Sequence, residues 1–318
     1  MDYYIYTVDL PFSGVKLSYR ELNSREQLIL AKTNIILPLN DENALDYARV
    51  LQKIILNCVE NKKDFFNITL LDYVLFITKL RIISIGSDFE LYFKQTDKKD
   101  PEKVTLDLNV FMKTLYESAV ESLRESFLVE KNIKIKLDYP NITSECFLLD
   151  SKGKNSIEHI LSSVSEYIQT IEIEGKTIKM LSFTTEEKNE MYERLPVSLR
   201  SKIQLKVLSF IKTLSNKNLF GLPNMDIFKF NFYNKSHQEL IRFFFSNDLR
   251  SIYQDYYILA SKKISPSFVD SLSIPERRVF ISFVEEEMKS REQNVFSSEI
   301  SGGGNSTQLQ DLMDEFGG

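Results

Sequence analysis

Residues 68–80 (ITLLDYVLFITKL) constrain this chain more than any other stretch. On a helical projection the run is apolar on every side, so it has no face to offer to water. It is shorter than the roughly 20 residues that cross a bilayer. It also carries Asp72 and Lys79, so protein must bury it. A core helix is expected over 69–84, ended by the glycine at position 86. The rest of the chain has to surround it. Of 318 residues, 43% are apolar and 27% charged. That supplies enough apolar side chain for a folded body and suggests two domains.

Residues 1–88 read as a strand followed by three helices. Tyr, Ile, Val and Leu alternate up to Pro11-Phe12-Ser13-Gly14, a short strand and a turn. Asn23 or Ser24 caps a first helix with Glu26 as capping partner, and Pro38 breaks it. Leu45, Ala48, Leu51, Ile54, Ile55 and Cys58 repeat at helical spacing in a second, capped at Asn40-Asp41 and closed by residues 61–64. The core helix is the third.

Residues 89–183 change period. Phe89, Leu91 and Phe93 alternate with polar residues, as do Ile133, Ile135, Leu137 and Tyr139, which predicts antiparallel strands with one solvated face. Residues 94–103 form a loop or hairpin tip. A helix over 108–128 reads as an insertion near 105–130, with Leu115, Ala119, Leu123 and Phe127 four apart. A strand over 146–149, an amphipathic helix over 156–167 and a hairpin turning at Glu174-Gly175 follow.

Residues 184–293 read as a helical domain. It starts at Thr184-Thr185-Glu186-Glu187, is interrupted at Pro196 and resumes to residue 213. After a loop rich in Asn, Pro and Phe come a helical pair, 238–245 and 248–260, and a long helix from 275 to 293. Residues 296–307 (FSSEISGGGNST) are too poor in apolar side chains to fold and read as a flexible linker, so 294–318 is linker and tail. The fold class is therefore α+β.

Composition excludes several functions. A net charge of −5 and a pI near 5.4 argue against binding nucleic acid through bulk electrostatics. Cys58 and Cys146 are too far apart in sequence to suggest a disulfide framework, which points to a reducing compartment, and the first residues lack the pattern of a signal peptide. His159 and His237 read as surface or capping residues, with no nucleophile motif beside them. The two cysteines and two histidines match no metal-ligand spacing. Gly302-Gly303-Gly304 lacks the preceding strand and the lysine of a phosphate loop. Adjacent acids at 186–187 and 285–287 diverge on a helix and do not make a catalytic pair. No catalytic, metal-binding or cofactor-binding residue is expected, and the chain does not read as an enzyme.

The tail reads as a ligand. Leu309, Leu312, Met313 and Phe316 fall at i, i+3, i+4 and i+7, with Asp311, Asp314 and Glu315 on the other face. This is the spacing of a helix that docks in a groove. Burying four such side chains gains roughly 6–12 kcal/mol gross. Ordering the backbone costs roughly 8–16 kcal/mol, so a single tail is a weak ligand that gains from being presented in several copies. Phe243-Phe244-Phe245 covers too much of a helix for one face and serves either the core or a partner groove. Phe243 and Phe244 therefore join the four tail residues as candidate partner-binding positions.

Several strings, taken in order, resemble a known family. They are Tyr19-Arg20-Glu21-Leu22 with Glu26-Gln27-Leu28-Ile29-Leu30-Ala31, then Ile55-Leu56-Asn57-Cys58-Val59. Asp72, Leu75-Phe76, Lys79-Leu80-Arg81, Ser84 and Gly86 follow, and Ile135-Lys136-Leu137-Asp138-Tyr139-Pro140 after them. Thr185-Glu186-Glu187, Leu195-Pro196, the Phe243–245 run with Asn247 and Leu249, and Tyr253, Tyr256 and Leu259-Ala260 complete the set. Over residues 17–262 this order resembles the T-even-like contractile bacteriophage baseplate hub proteins, a family that includes tail-assembly chaperones. The Cys-x-x-Cys that some relatives carry in the later loop has no counterpart here.

The resemblance implies a baseplate hub subunit or hub assembly chaperone that works by protein–protein binding. Its partners would be other hub or tape-measure proteins, in several copies of a symmetric assembly, with no nucleic acid and no membrane span. It would be made in the cytoplasm of the infected bacterium and could end in the tail baseplate of the virion. Two alternatives remain open at this stage. A peptidoglycan-directed hydrolase of the hub would need paired carboxylates in a cleft. A host-takeover regulator binding nucleic acid would have to overcome the acidic balance.

Overall fold

The computed structural model describes residues 4–36, 44–93, 102–123, 126–142, 163–215, 244–245 and 249–301. The chain forms two compact units, Met1–Leu22 with Glu26–Asp248, and Asn23–Arg25 with Leu249–Gly318. Residues 184–248, grouped by pattern with the C-terminal helices, thus belong to unit 1.

Unit 1 opens with an antiparallel hairpin of β1 (Tyr6–Asp9) and β2 (Lys16–Tyr19), turning where Gly14 takes φ +70°. Pattern alone reveals only β1. β2 is four residues long, and its buried members Leu17 and Tyr19 are too few to show a period. α1 (Ser24–Ile36) and α2 (Ala44–Cys58) follow as expected. The segment expected only to close α2 makes a one-turn helix, α3 (Lys62–Phe65). Asn61 beside it accepts from the Ser18 amide at 2.9 Å and donates to the Lys16 carbonyl at 2.8 Å, fastening β2.

The core helix is α4 (Leu70–Ser84), buried on all sides as the sequence requires. Thr69 caps it, accepting from the Asp72 amide at 3.2 Å. Tyr19 and Phe65 meet Phe76 edge-on at 5.0 and 6.0 Å. Each such side chain contributes about 1.5–3 kcal/mol by burial. Gly86, at φ +127°, turns the chain out of the helix in a conformation open to glycine.

β3 (Asp88–Phe93) pairs antiparallel with β4 (Glu102–Asp107), which pattern does not reveal. α5 (Leu108–Leu123) starts at once and buries Leu108, Phe111, Leu115 and Ala119. The stretch that reads as an insertion is therefore part of the core. Phe127, expected on the same helix, instead opens β5, because the Ser126 amide closes the helix on the Leu123 carbonyl at 3.1 Å.

β5 (Phe127–Glu130), β6 (Ile133–Leu137), β7 (Ile168–Ile173) and β8 (Lys176–Lys179) form a four-stranded antiparallel sheet in that order. Leu128, Ile135, Ile171 and Ile178 align across it as the inward row. The β7–β8 turn holds Glu174 at φ 51° and Gly175 at φ 77°, as expected for a two-residue hairpin. Residues 164–167 form a 3-10 turn. The strand predicted over 146–149 and most of the helix predicted over 156–167 lie outside the described residues.

α6 (Thr185–Glu193) begins with a reciprocal capping box between Thr184 and Glu187. α7 (Val197–Ser215) resumes after Pro196. Glu166 is buried beneath α6, where it accepts from Lys188 Nζ and Thr185 Oγ1, both at 2.8 Å.

Unit 2 is helical: α8 (Leu249–Ser261), α9 (Pro266–Ser271) and α10 (Ile274–Ser301). α9 is not expected from pattern, although Ser265 caps it and Pro266 starts it. α10 runs on to Ser301, so the first part of the predicted linker is helical. No glycine or proline interrupts it between Glu276 and Ser301. The core gathers Leu259, Val269 and Val284, with Tyr256, Phe280 and Ile281 packed around them. The Ser24 amide and hydroxyl both donate to the Leu272 carbonyl, at 2.8 and 3.0 Å, which stitches residues 23–25 into this unit.

Candidate assembly surfaces

The structure gives different fates to the positions singled out in the sequence. Phe244 is 1% exposed and meets Phe111 edge-on at 5.4 Å, so it sits in the core of unit 1, out of a partner's reach. Its carbonyl accepts from Arg81 Nε at 2.9 Å, and the same guanidinium donates to the Gly86 carbonyl. A chain segment held this way at both side chain and backbone is structural. Phe243, Leu309, Leu312, Met313 and Phe316 lie outside the described residues, as do His159, His237, Cys146 and the glycine run.

Cys58 is buried, 3.6 Å from Glu26 Oε2, and burial with that neighbouring carboxylate pushes its thiol well up. Such a thiol is not a nucleophile. Glu26, expected as a helix cap, forms a bidentate pair with Arg20 at 2.7 and 2.8 Å, a strong geometry for that pair. Glu187 is occupied by its capping box, and Glu287 by Lys262 at 2.8 Å and Arg291 at 2.5 Å.

Two buried carboxylates have raised pKa values. Asp72 accepts from the Ser13 and Phe12 amides at 2.6 and 3.2 Å, tying the β1–β2 turn to α4, yet burial outweighs these bonds and its pKa rises. Asp138 is pushed up to about 6 by burial, although the Tyr139 amide donates to it at 2.7 Å. Lys136 acts on Asp138 in the lowering sense and Asp72 in the raising sense, both weaker than burial. Among the described residues no group of three or more His, Cys, Asp or Glu side chains could hold a metal. None of their helices is long and apolar enough to cross a membrane.

What the surface does gather is apolar side chain in ordered places. On β5, Phe127 and Val129 are 54% and 63% exposed and share the outward face of the sheet. In unit 2, Tyr253 and Tyr257 stand one turn apart on α8, and Val279 and Phe283 one turn apart on α10, all exposed. Sequence reasoning missed the first pair by placing Phe127 on a helix. The signal that would have found it is the run of strand-favouring Phe127-Leu128-Val129 before Lys131-Asn132, facing the alternation of Ile133, Ile135 and Leu137 after it.

The described residues thus form a two-unit α+β body with exposed apolar side chains on ordered elements and several acids engaged in structural bonds. The particular family comes from comparison. A family model described as T4 bacteriophage base plate protein matches residues 1–218, and the chain belongs to that family. Its role is thus a structural one in the phage tail baseplate, assembled with other phage proteins. Searches of curated proteins and of solved structures found no match. The matched region ends before residues 249–318 of unit 2, and the closing strings of the resemblance, from Phe243 to Ala260, lie beyond it.

Proposed function

We propose that the chain serves the hub of the contractile baseplate, as a hub subunit or as the chaperone that assembles it. It acts by binding other hub or tape-measure proteins, in several copies, after synthesis in the cytoplasm of the infected bacterium. The observation that carries this reading is the membership of residues 1–218 in the base plate family. Exposed pairs on β5, α8 and α10 supply contact surface of the right kind, since aromatic anchors dominate interface energetics. The tail residues Leu309, Leu312, Met313 and Phe316 are a further contact, weak singly and strengthened by repetition. Nucleic acid is not among the proposed partners, and the role is not enzymatic.

Quantitative mass spectrometry of purified virions against known tail proteins tests the proposal. A small fixed copy number marks a hub subunit. Absence from virions, with tails failing to form without the protein, marks a chaperone that leaves. Normal tails in its absence overturn both. A peptidoglycan zymogram is expected to show no clearing.

A further inference from the structure

The two edges of the four-stranded sheet differ in character. β8 is guarded: Lys176 and Lys179 stand exposed at its ends, the kind of charge that keeps other strands from pairing. β5 carries no such guard. Phe127 and Val129 are exposed on its outward face, and its one charge, Glu130, is held by Lys202 at 2.8 Å. The backbone of β5 is aimed outward at the same two residues. The Leu137 amide donates to the Ser126 carbonyl at 2.8 Å, and along an antiparallel ladder alternate residues bond to the neighbouring strand. Residues 126, 128 and 130 therefore turn their amides and carbonyls to β6, while Phe127 and Val129 turn theirs away from it.

We propose that β5 pairs with β5 of a second copy of this chain, antiparallel about a two-fold axis through Leu128, joining two four-stranded sheets into one of eight. The strand's own pattern selects this partner and register. Side chains directly opposite across a ladder share a face, so the axis must pass through a residue and not between two. At Leu128 it sets Phe127 against Val129 of the second copy, and Val129 against that copy's Phe127. The outward-turned backbone groups then meet each other in four amide–carbonyl bonds. The four exposed side chains close into one apolar cluster over the axis, which removes them from water. An axis through Phe127 or Val129 would set only one bonding pair within the strand. Charge agrees. Along the outward row Lys136 and Phe127 are followed by the second copy's Val129 and Lys134. Lysines across the axis thus stand three strand spacings apart, about 14 Å, beyond the screening length of about 8 Å. Lys134 Nζ, 5.3 Å from the Phe127 ring centre, stays over the cluster's flank. Such an isologous contact is small, so the dimer is weak in dilute solution and gains where an assembly holds copies together. It goes beyond the binding role proposed above, since it needs no second kind of protein.

Sedimentation of the full chain over a wide concentration range tests the proposal. A reversible monomer–dimer equilibrium is expected, and Val129→Pro raises its dissociation constant about tenfold or more. Proline there removes an amide that β6 does not use, so the fold is spared while two of the four new bonds are lost. Should circular dichroism show that variant unfolded, Val129→Lys keeps the amide, sets a charge beside Lys134 and is expected to weaken the dimer equally. Disulfides read the register. Phe127→Cys and Val129→Cys chains mixed under oxidation bring paired Cα atoms to about 5.5 Å, within disulfide reach, whereas either variant alone leaves them about 8 Å apart, beyond it. Peptide mass spectrometry is expected to find the 127–129 link in the mixture at about ten times the yield of the same-site link in either variant alone. Four outcomes overturn the proposal: monomer at every concentration, species larger than a dimer, a dimer indifferent to substitution at 129, or same-site links as frequent as mixed ones. Monomer throughout would leave this edge to a strand of another protein. Virions that still contain the protein would then keep the baseplate role and remove only this contact.

Discussion

Unit 1 is organised around α4, a helix buried along most of its length, whereas unit 2 closes on a smaller set of buried apolar residues, Ile252, Leu259, Val269, Leu272, Ile274 and Val284. Unit 1 also buries charge and satisfies it: Glu166 holds Lys188, and Arg81 holds backbone carbonyls. In unit 2 the buried Arg277 pairs with Asp255 at 3.2 Å across a smaller core. Stability per residue rises with the fraction of surface that folding removes from water, and a small helical unit removes less of it. The family-matched region holds most of unit 1 and its larger core, and both units carry exposed apolar side chains.

The sharpest way to break this comparison is to hollow each core. Phe76 packs between Tyr19 and Phe65, and Phe76→Ala is expected to cost about 3–5 kcal/mol. Leu259→Ala in unit 2 is expected to cost about 2–3 kcal/mol, at the low end because a thin core collapses more easily. Denaturant melts with hydrogen exchange resolved by unit provide the check. Equal costs, or exchange slower in unit 2 than in α4, would contradict the contrast.

The next effect concerns buried charge. Lys188→Met strands the Glu166 carboxylate beneath α6, and breaking such a pair costs about 3 kcal/mol or more. Glu166→Gln added to it should recover much of the loss, because the amide leaves no orphaned charge and can still meet Thr185. A double-mutant cycle on thermal stability measures the coupling. Additive effects would mean that the pair is not closed in solution.

A smaller effect depends on pH. Asp138 titrates near 6 in the fold, above its free value of 3.8, so the folded state favours the protonated acid. Stability from this group is full below about pH 4 and is lost as pH rises towards and past about 6, by about 3 kcal/mol at most. Asp138→Asn keeps an acceptor for the Tyr139 amide and removes the ionisation. Its melting temperature should exceed that of the natural sequence at about pH 7.5 and match it at about pH 4. A gain at both would assign the effect to packing.

How much of this was legible in the sequence follows from the range of the forces involved. α4 was, because so apolar a run must be buried, and so were the β7–β8 turn and the start of α6, where local chemistry suffices. β5 was not. Leu115, Ala119, Leu123 and Phe127 continue a helical spacing, and the turn beyond them puts Lys131 at φ 54°. Sequence habitually marks that conformation with glycine. That one misplacement hid the outward sheet face. The clamps were illegible for another reason: Arg81 meets a carbonyl 163 residues away, and no local pattern encodes such a partner. Phe244 shows the same limit, since a phenylalanine run looks alike whether it fills a core or offers a surface.

The smallest expected effect sharpens the contrast from the surface side. Lys202→Ala in unit 1 removes an exposed pair with Glu130 at 2.8 Å, and Lys262→Ala in unit 2 removes one with Glu287 at the same distance. In both, the carboxylate is held low by its lysine, but solvent screens the pair and its geometry costs side-chain entropy. Neither substitution should shift the melting temperature measurably, whichever unit carries it. The contrast between the units lies in what they bury, so exposed charge should not discriminate them. A clear loss in one unit alone would show that its surface network shares in holding the fold, and the contrast between the units would have to be redrawn to include exposed charge.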